Sequence, residues 1–201
     1  MVAIIDYNVG NLASVYNACS LCDAKAVIVK DPQMVKNFDR VILPGVGAFG
    51  DAMEHLNSSG MKEAVLEFAK SGKPIMGICL GMQLLFDSSE EFGITQGLGL
   101  ISGKVVKFDK SKMKEDLKIP HMGWNKIFNK PNPLFEGLSD PYLYFVHSFH
   151  AVTTDEFTIG TTIYGYEFAS AVNKENIYGF QPHPEKSHSN GLRILKNFME
   201  V

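Results

Sequence analysis

Short apolar runs alternate with helix-like segments through the first ninety residues, and no other feature of the sequence constrains the fold as strongly. Strand-like runs lie at residues 2–6, 26–29, 41–43 and 74–78. Helical patterns lie at residues 12–22, 61–70 and 81–86. Strands that alternate with helices in this way are typical of a mostly parallel sheet covered by helices on both faces.

The second half of the chain changes to β-rich runs with few helical patterns. These runs lie at residues 104–108, 142–147, 158–163, 169–172 and 177–180. We expect some of them to form antiparallel hairpins beside the main sheet. A terminal helix is predicted over 191–201, and the charged segment 109–118 is predicted to be an exposed loop. Because there is no repeat, low-complexity tract or linker, the sequence predicts one α/β domain over residues 1–201.

Charge and cysteine content argue against several classes of function. The 201 residues carry a net charge of −3, which gives no electrostatic reason to expect binding to nucleic acid or to an anionic membrane. The N-terminal apolar run is too short and too acidic for a signal peptide, and no run approaches the length of a membrane span. The three cysteines cannot all pair, so we expect free thiols in a reducing, cytoplasmic setting.

Cys19 and Cys22 have the spacing of a redox or metal-binding pair. On a helix, however, positions i and i+3 share a face, and packing in the core explains this spacing more simply. A zinc site would need two further ligands, and no second C-x-x-C segment is present. His147 and His150 are not spaced to share one face of a strand. We therefore expect no metal site.

The strongest chemical signal lies in the segment Pro74-Ile-Met-Gly-Ile-Cys-Leu-Gly-Met-Gln83. An apolar strand runs through a Gly-x-Cys-x-Gly turn into an apolar helix, which is the nucleophile-elbow pattern with cysteine in place of serine. Gly77 and Gly81 leave room around a tight, strained turn. Cys79 would lie at a helix N-terminus that favours the thiolate, and the Leu80 N–H would point toward a developing oxyanion. Taken alone, a buried cysteine in a glycine-rich turn explains the segment equally well.

A candidate base lies near the other end of the chain, in Gln181-Pro-His-Pro-Glu-Lys186. Pro184 biases His183 toward an extended backbone, in which positions i and i+2 point to the same side. Glu185 can then hold the imidazole in the tautomer that leaves its other nitrogen free to act on a thiol. A polar loop between a strand and a helix is the plain alternative. Together with the elbow, the segment favours a Cys–His–Glu triad.

A second glycine-rich turn, Pro44-Gly-Val-Gly47, follows another apolar strand at the edge of the sheet where α/β sites lie. Glycines on both sides of Val46 make reorientation of its peptide cheap. An N–H at Val46 or Gly47 is therefore a candidate second oxyanion donor. An ordinary turn between strand and helix explains this segment when it is taken alone.

These segments together resemble the class I, triad-type glutamine amidotransferases over essentially the whole chain. More narrowly, the sequence is similar to the glutaminase subunits of imidazole glycerol phosphate synthase, an enzyme of histidine biosynthesis. The resemblance is carried by Pro44-Gly-Val-Gly-Ala-Phe-Gly50, Gly77-Ile-Cys-Leu-Gly-Met-Gln83, Pro120-His-Met-Gly-Trp-Asn125, Tyr144-Phe-Val-His147 and Gly179-Phe-Gln-Pro-His-Pro-Glu-Lys-Ser187. The P-H-M-G-W-N segment narrows the class to this subunit type.

The resemblance implies hydrolysis of glutamine to glutamate and ammonia. Cys79 would attack the side-chain amide, His183 would move protons, and Glu185 would hold the imidazole. The positions that match glutamine-binding residues of the family are Gly47, Gln83, Glu91, Ser148 and Phe149. The family's fold has a central, mostly parallel sheet with added antiparallel strands, and its chemistry needs no metal or organic cofactor.

The resemblance also implies a partner, because ammonia is protonated in neutral water and ammonium has no lone pair for attack. In the family this partner is a (β/α)8-barrel synthase, the cyclase subunit of a heterodimer. It receives ammonia through its barrel and makes imidazole glycerol phosphate and the aminoimidazole-carboxamide ribonucleotide AICAR. Positions that match partner-facing residues are Asn11, Trp124, Tyr144 and Lys186. For Trp124, a place in the hydrophobic core is an equally good explanation.

Three other functions stay open at this point. The first is a stand-alone cysteine hydrolase, such as a peptidase or γ-glutamyl hydrolase, although residues 120–125 suit a docking surface. The second is a scaffold subunit that has lost catalysis, which the intact Cys79, His183 and Glu185 argue against. The third is a paralogous glutaminase that feeds a different synthase, for example one that aminates a sugar.

Overall fold

The computed structural model describes residues 1–113 and 115–201, and these form one large mixed sheet, one small sheet and six helices. The strands of the first half are β1 (Val2–Ile5), β2 (Ala26–Val29), β3 (Arg40–Leu43), β4 (Ile75–Ile78), β5 (Phe86–Ser89) and β6 (Thr95–Gln96). Those of the second half are β7 (Ile101–Lys107), β8 (His121–Lys126), β9 (Phe128–Asn129), β10 (Tyr142–His147), β11 (Phe149–Val152), β12 (Thr158–Tyr164), β13 (Tyr166–Lys174) and β14 (Ile177–Phe180). The helices are α1 (Leu12–Leu21), α2 (Pro32–Val35), α3 (Phe49–Ser58), α4 (Met61–Lys70), α5 (Leu80–Leu84) and α6 (His188–Glu200).

Parallel strands form one half of the large sheet, in the order β2-β1-β3-β4-β14. Strands β1, β4 and β14 are buried along their whole length, as expected for apolar strands that are covered on both faces. Beyond β14 the sheet continues through β13, β11, β7, β5 and β6, mostly with antiparallel pairing. The predicted α/β fold, with a mostly parallel centre and antiparallel additions in the second half, is confirmed.

Helices cover both faces of the sheet, and each face has its own apolar core. Alternate residues of β1 divide between the two cores: Ala3 and Ile5 face one, while Val2 and Ile4 face the other. Helices α3 and α4 pack on the first face, and α1 and α6 pack on the second. No helix in the described ranges is long and apolar enough to cross a bilayer.

The structure departs from the predicted elements at a few places. The helix predicted over 81–86 is α5, which ends at Leu84 because Phe86 pairs with Ile101 at the start of β5. No helix is predicted over α3, although its buried residues recur at helical spacing. Strand β8 is also missed, and it pairs with β10 as a separate two-stranded sheet. The loop predicted over 109–118 contains a 3₁₀ turn at Lys110–Lys112, and the part of this prediction that concerns Lys114 lies outside the described residues.

Candidate active site

Cys79 occupies a strained turn between β4 and α5. Its φ of +55° and ψ of −111° lie in a backbone region that residues with side chains rarely adopt. The turn closes because its flanking residues have no side chain: a Cβ added to Gly77 would lie 2.6 Å from the carbonyl oxygen of Gly81. The Leu80 N–H is the first of α5, and the first N–H groups of a helix have no partner inside it. The turn therefore presents a thiol beside a free donor.

The pairing of β4 with β14 brings the two distant segments to one edge of the sheet. The strands run parallel with Gly77 opposite Gly179 and Ile78 opposite Phe180. The Cys79 N–H continues this ladder by donating to the carbonyl of Phe180, at 2.8 Å. Because both strands end at the same level, Cys79 and the segment that carries His183 leave the sheet side by side.

His183 and Glu185 form a buried pair on that segment. The imidazole Nδ1 lies 2.7 Å from Glu185 Oε1, and their side chains are only 3% and 2% exposed. The backbone reason differs from the predicted one. His183 itself is extended, but Pro184–Lys186 forms a 3₁₀ turn, and this turn folds the carboxylate back under the ring. The backbone N–H of His183 donates to the Tyr144 carbonyl at 2.8 Å, which fixes the main chain from which the imidazole extends.

The free nitrogen of the His183 ring, Nε2, is buried and has no hydrogen-bond partner of normal geometry among the described residues. Burial lowers the pKa of His183, but interactions with Cys79 and Glu185 outweigh burial and raise this pKa to about 10. Both neighbours thus favour the imidazolium form. A carboxylate and a thiolate near an imidazole both stabilise its positive charge, so the direction of the pKa shift is the one these two neighbours predict.

Cys79 and His183 both line a cavity of about 360 Å³, and all five predicted glutamine-binding residues also line it. The cavity wall comprises Val46, Gly47, Cys79, Leu80, Gln83, Glu91, Pro120, Val146, His147, Ser148, Phe149, His183 and Lys186. The two glycine-rich turns and the His183 segment therefore meet here, together with residues from three other stretches of the chain. Glu185 lies behind the imidazole rather than in the wall.

Several of these side chains already use part of their hydrogen-bonding capacity inside the protein. One carboxylate oxygen of Glu91 accepts the N–H of Phe49 at 2.7 Å, at the start of α3. Gln83 Nε2 donates to the Phe149 carbonyl and to Gln181 Oε1, both at 3.0 Å. The Ser148 carbonyl accepts the Phe108 N–H at 3.1 Å. A ligand would therefore meet the second oxygen of Glu91 and the amide oxygen of Gln83.

The turn from Pro44 to Gly47 packs directly against the elbow. A Cβ on Gly45 would lie 2.9 Å from the Gly81 nitrogen and 2.8 Å from the Tyr7 hydroxyl, so this position must remain glycine. Gly47 has a φ of +101°, which also favours glycine. Val46 is 43% exposed at the cavity wall. The candidate second donor thus lies on a turn that one buried tyrosine holds in place.

Replacing Tyr7 by phenylalanine should lower the free energy of unfolding by about 1–2 kcal/mol. Tyr7 is buried, and its hydroxyl donates to the Pro44 carbonyl at 2.8 Å, so the variant leaves that carbonyl unpaired. Urea denaturation would measure the change. Tyr16→Phe is the matched control because Tyr16 is 41% exposed on α1, and it should stay within about 0.5 kcal/mol of the parent. Equal effects of the two substitutions would contradict this prediction.

A buried pair of histidines supports the far wall of the cavity, and sequence reasoning does not identify it. His147 Nδ1 donates to the Phe149 carbonyl at 2.7 Å, which leaves Nε2 to accept from His121 Nδ1 at 2.9 Å. His121 Nε2 in turn accepts from the Asn125 amide at 3.2 Å. Burial lowers the pKa of His121 to about 4 and that of His147 to about 3. Both rings are neutral with fixed tautomers. His121 lies within the Pro120–Asn125 segment that resembles the family, but its contact with His147 depends on the β8–β10 register.

The free energy of unfolding should therefore fall steeply as the pH drops from 6.5 to about 4. Unfolded histidines bind protons near pH 6.5, whereas these two rings stay neutral in the native state, so each contributes a loss of up to about 1.4 kcal/mol per pH unit. His183 opposes this slope near pH 6.5, because its raised pKa keeps only the native ring fully protonated there, and it adds no slope below about pH 5.5. Urea unfolding at pH 7, 6 and 5 measures the slope. In His121→Gln, unfolding should take up about one proton fewer, so the slope should be smaller. An unchanged slope in this variant would contradict the prediction that His121 is neutral in the native state.

The predicted partner-facing residues lie at the surface. Trp124 is 47% exposed, so the alternative of a core aromatic is wrong. It is opposite Tyr144 in the β8–β10 register, and its ring stacks on that of His188 at 5.1 Å. Asn11 is the exposed N-cap of α1, and Lys186 is exposed at the cavity wall.

The other two cysteines lie on and beside α1, away from the cavity wall. Cys19 is buried in the core and Cys22 is half-buried, where its thiol contacts the Leu192 carbonyl at 3.4 Å. Burial raises the pKa of Cys19 to about 12 and also raises the pKa of Cys22. All three cysteines are free. Packing on the helix accounts for the C-x-x-C spacing, and within the described ranges no group of three potential ligands could hold a metal ion.

Comparison with known proteins identifies the family. The family model for glutamine amidotransferase class-I matches residues 3–201. The imidazole glycerol phosphate synthase subunit HisH of Sulfurimonas denitrificans is 66% identical over 98% of this chain and 97% of its own. The HisH subunit of Wolinella succinogenes is 62% identical over 100% of both chains, and that of Methanocaldococcus jannaschii is 46% identical over the same shares.

Solved structures agree at the level of the fold. A crystal structure of a glutamine amidotransferase superposes with a TM-score of 0.77 at 15% identity, over 100% of this chain and 98% of the other. PurLQS from Thermotoga maritima superposes with a TM-score of 0.76 at 20% identity, over 99% and 97%. The sequence matches show that the chain belongs to the class I glutamine amidotransferase family, among the HisH subunits of imidazole glycerol phosphate synthase.

Proposed function

We propose that this chain hydrolyses glutamine through Cys79, His183 and Glu185 and passes the ammonia to a (β/α)8-barrel synthase. The observation that carries the proposal is a single cavity lined by the Cys79 thiol and the His183 imidazole, with Glu185 2.7 Å from the far side of the ring. A strained elbow, a buried base and an orienting carboxylate are the parts that covalent acyl transfer requires.

The first half of the reaction forms a thioester. The Cys79 thiolate attacks the side-chain amide carbon of glutamine, and the negative charge moves to the amide oxygen. The Leu80 N–H stabilises that oxygen, joined by an N–H from Val46 or Gly47. The His183 imidazolium then protonates the leaving nitrogen, ammonia departs, and the γ-glutamyl thioester remains on Cys79.

The second half releases glutamate. His183, now neutral, takes a proton from water, and the resulting hydroxide attacks the thioester carbon. The carbon–sulfur bond breaks, glutamate leaves, and the thiolate–imidazolium pair is restored. Glu185 stabilises the imidazolium at both stages, which is the role a buried carboxylate plays on a ring nitrogen.

Polar groups in the cavity wall suit the amino-acid end of glutamine. The free oxygen of Glu91 would accept the α-ammonium group, and the amide oxygen of Gln83 would accept an N–H of the ligand. Backbone groups of Gly47, Ser148 and Phe149 complete the wall. A cavity of about 360 Å³ is small, which favours a free amino acid over a peptide.

The exposed surface around Trp124 and Tyr144 would receive the synthase. Aromatic residues are enriched in the centres of protein interfaces relative to the rest of the protein surface. Asn11 and Lys186 would add polar contacts at its edge, and Lys186 also borders the cavity. The complex would be a heterodimer in the cytoplasm that makes imidazole glycerol phosphate and AICAR in histidine biosynthesis.

Isotope transfer in the reconstituted heterodimer tests the whole proposal. Glutamine labelled with ¹⁵N in its side-chain amide is supplied together with unlabelled ammonium at the same concentration. Channelling predicts that the nitrogen incorporated into imidazole glycerol phosphate is almost entirely ¹⁵N. Product nitrogen drawn mainly from the unlabelled pool at low conversion would show that ammonia mixes with bulk water. Hydrolysis of γ-glutamyl peptides with no response to the synthase would favour a stand-alone hydrolase instead.

The flanking glycines of Val46 support a further part of the proposal. In the isolated chain the Val46 N–H would point away from the oxyanion position, and binding of the synthase with its acceptor would turn it inward. Glutamine would then be consumed only when the acceptor is present. Glutaminase turnover is measured for the chain alone and with the liganded synthase. Equal rates would contradict activation through Val46, but they would not contradict the proposed roles of Cys79, His183 and Glu185.

A further inference from the structure

Gln181 lies against the nucleophile and has no part in the mechanism above. Its side chain is completely buried, and its Nε2 is 3.9 Å from Cys79 Sγ, an N–H···S contact at the long end of the usual range. Its backbone N–H donates to the Ser170 carbonyl at 2.9 Å, so the residue is fixed at its main chain as well. A buried amide that points at the reacting sulfur calls for a chemical explanation.

Hydrogen bonds fix which end of the Gln181 amide faces the sulfur. Gln83 donates from Nε2 to the Phe149 carbonyl at 3.0 Å, and a carbonyl oxygen can only accept, so the nitrogen of Gln83 must lie on that side. The same nitrogen donates to Gln181 Oε1 at 3.0 Å. The oxygen of Gln181 is therefore held toward Gln83, and its N–H groups turn toward Cys79.

The Phe149 carbonyl, which accepts from Gln83, is itself held in place by other contacts. The Phe149 carbonyl also accepts His147 Nδ1–H at 2.7 Å, so both of its lone pairs have donors. Strand β11 holds the same residue opposite Lys107 of β7. Reversing the direction of the Gln83 amide would place two acceptors against each other. The donors therefore run one way, from Gln83 through Gln181 to the sulfur.

We propose that the Gln181 amide is a second stabiliser of the Cys79 thiolate, and that Gln83 is the positioning residue that aims it. The inference rests on the proposed function in one respect, that Cys79 reacts as a thiolate. Hydrogen bonds to a charged acceptor are roughly twice as strong as those between neutral groups, and a buried site strengthens them. His183 gives its proton to the leaving ammonia during the reaction, whereas the Gln181 dipole stays in place. It therefore faces the sulfur both before attack and when the thiolate leaves the thioester.

The test follows the alkylation of Cys79 by iodoacetamide as a function of pH, without glutamine, in the full-length chain. Peptide mass spectrometry reads Cys79 separately from Cys19 and Cys22. Gln181→Met keeps the size of the side chain but removes the N–H, so the midpoint of the profile should move upward by about one pH unit. Gln33→Met, at an exposed position on α2, is the matched control and should leave the profile unchanged.

Two further variants keep the test decisive. Gln181→Glu has the same shape and places a carboxylate at the sulfur, so it should move the midpoint upward further than Gln181→Met, and it remains informative if the methionine variant fails to fold. Gln83→Met should give a smaller upward shift, because Gln181 then loses its orienting donor.

A Gln181→Glu variant that melts at the parent temperature with an unchanged midpoint would overturn the inference. The readout uses no glutamine. Failure of this inference is therefore distinct from failure of the proposed function, which would show instead as glutamine hydrolysis that survives the loss of Cys79.

Discussion

Replacing Cys79 by serine should reduce glutamine hydrolysis by at least about 10⁴-fold, while the fold is retained. The serine hydroxyl fits the strained turn, but it is a far weaker acid than a thiol, so His183 cannot hold it as an anion. The loss should fall on kcat, because the residues that would bind glutamine remain in the cavity wall. A coupled assay for glutamate release measures the rate, in the presence of the synthase and its acceptor.

Cys22→Ser provides the comparison for that experiment. Its thiol is half-buried and contacts the Leu192 carbonyl, a contact that a hydroxyl can also make. Turnover within twofold of the parent is expected. Circular dichroism should show the same melting behaviour for both variants within a few degrees. Residual turnover of Cys79→Ser above about one per cent of the parent rate would require a different nucleophile and would remove the basis of the proposed function.

Replacing Gly81 by alanine should destabilise the protein by about 4 kcal/mol or more, which is among the largest stability effects we expect from a single methyl group. The added Cβ would overlap the carbonyl oxygen of Leu43, and the wall on that side is backbone, which cannot rotate away. Either β3 separates from α5 or the turn at Cys79 opens. The variant should therefore lose both stability and activity. Urea unfolding followed by circular dichroism measures the first, and glutamate release measures the second.

Gly50→Ala is the matched control for Gly81→Ala, because a Cβ can be added at Gly50 without a clash. Gly50 lies inside α3, and the nearest atom to an added Cβ is the Thr95 hydroxyl oxygen at 3.7 Å, an ordinary contact. Because glycine in a helix costs conformational entropy, alanine here should increase stability by about 0.5–1 kcal/mol. Opposite signs for the two variants are the expected result. Equal and small effects would mean that the close approach between β3 and α5 relaxes easily.

The central strands and the two turns could be predicted because their signals are local. Strands β1, β3 and β4 are short apolar runs, followed by Asp6, Pro44 and Cys79 respectively. Burial of the strands on both faces explains their apolar composition. Gly77 and Gly81, on either side of Cys79, indicate a turn in which an added side chain would collide with backbone atoms. In both cases the physical constraint acts between residues that are close in sequence.

Other features depend on contacts between distant segments, and the sequence carries no local sign of them. Strand β8 exists because it pairs with β10, and its sequence, His121-Met-Gly-Trp-Asn-Lys126, has no clear apolar alternation. The His121–His147 contact follows from that register alone. The end of α5 at Leu84 is likewise set by pairing of Phe86 with Ile101, which overrides helical propensity.

Strand β14 lies in the middle of the large sheet although it belongs to the last tenth or so of the chain. A growing chain leaves the ribosome from its N-terminus, so Cys79 emerges about a hundred residues before His183. Until β14 arrives, one side of β4 has no neighbour and the thiol has no proton acceptor. Under the proposed mechanism, a nascent chain, or one cut short before residue 177, would therefore hydrolyse no glutamine. Glutamine hydrolysis would then begin only after the segment that ends at Glu185 has been synthesised and has paired with β4.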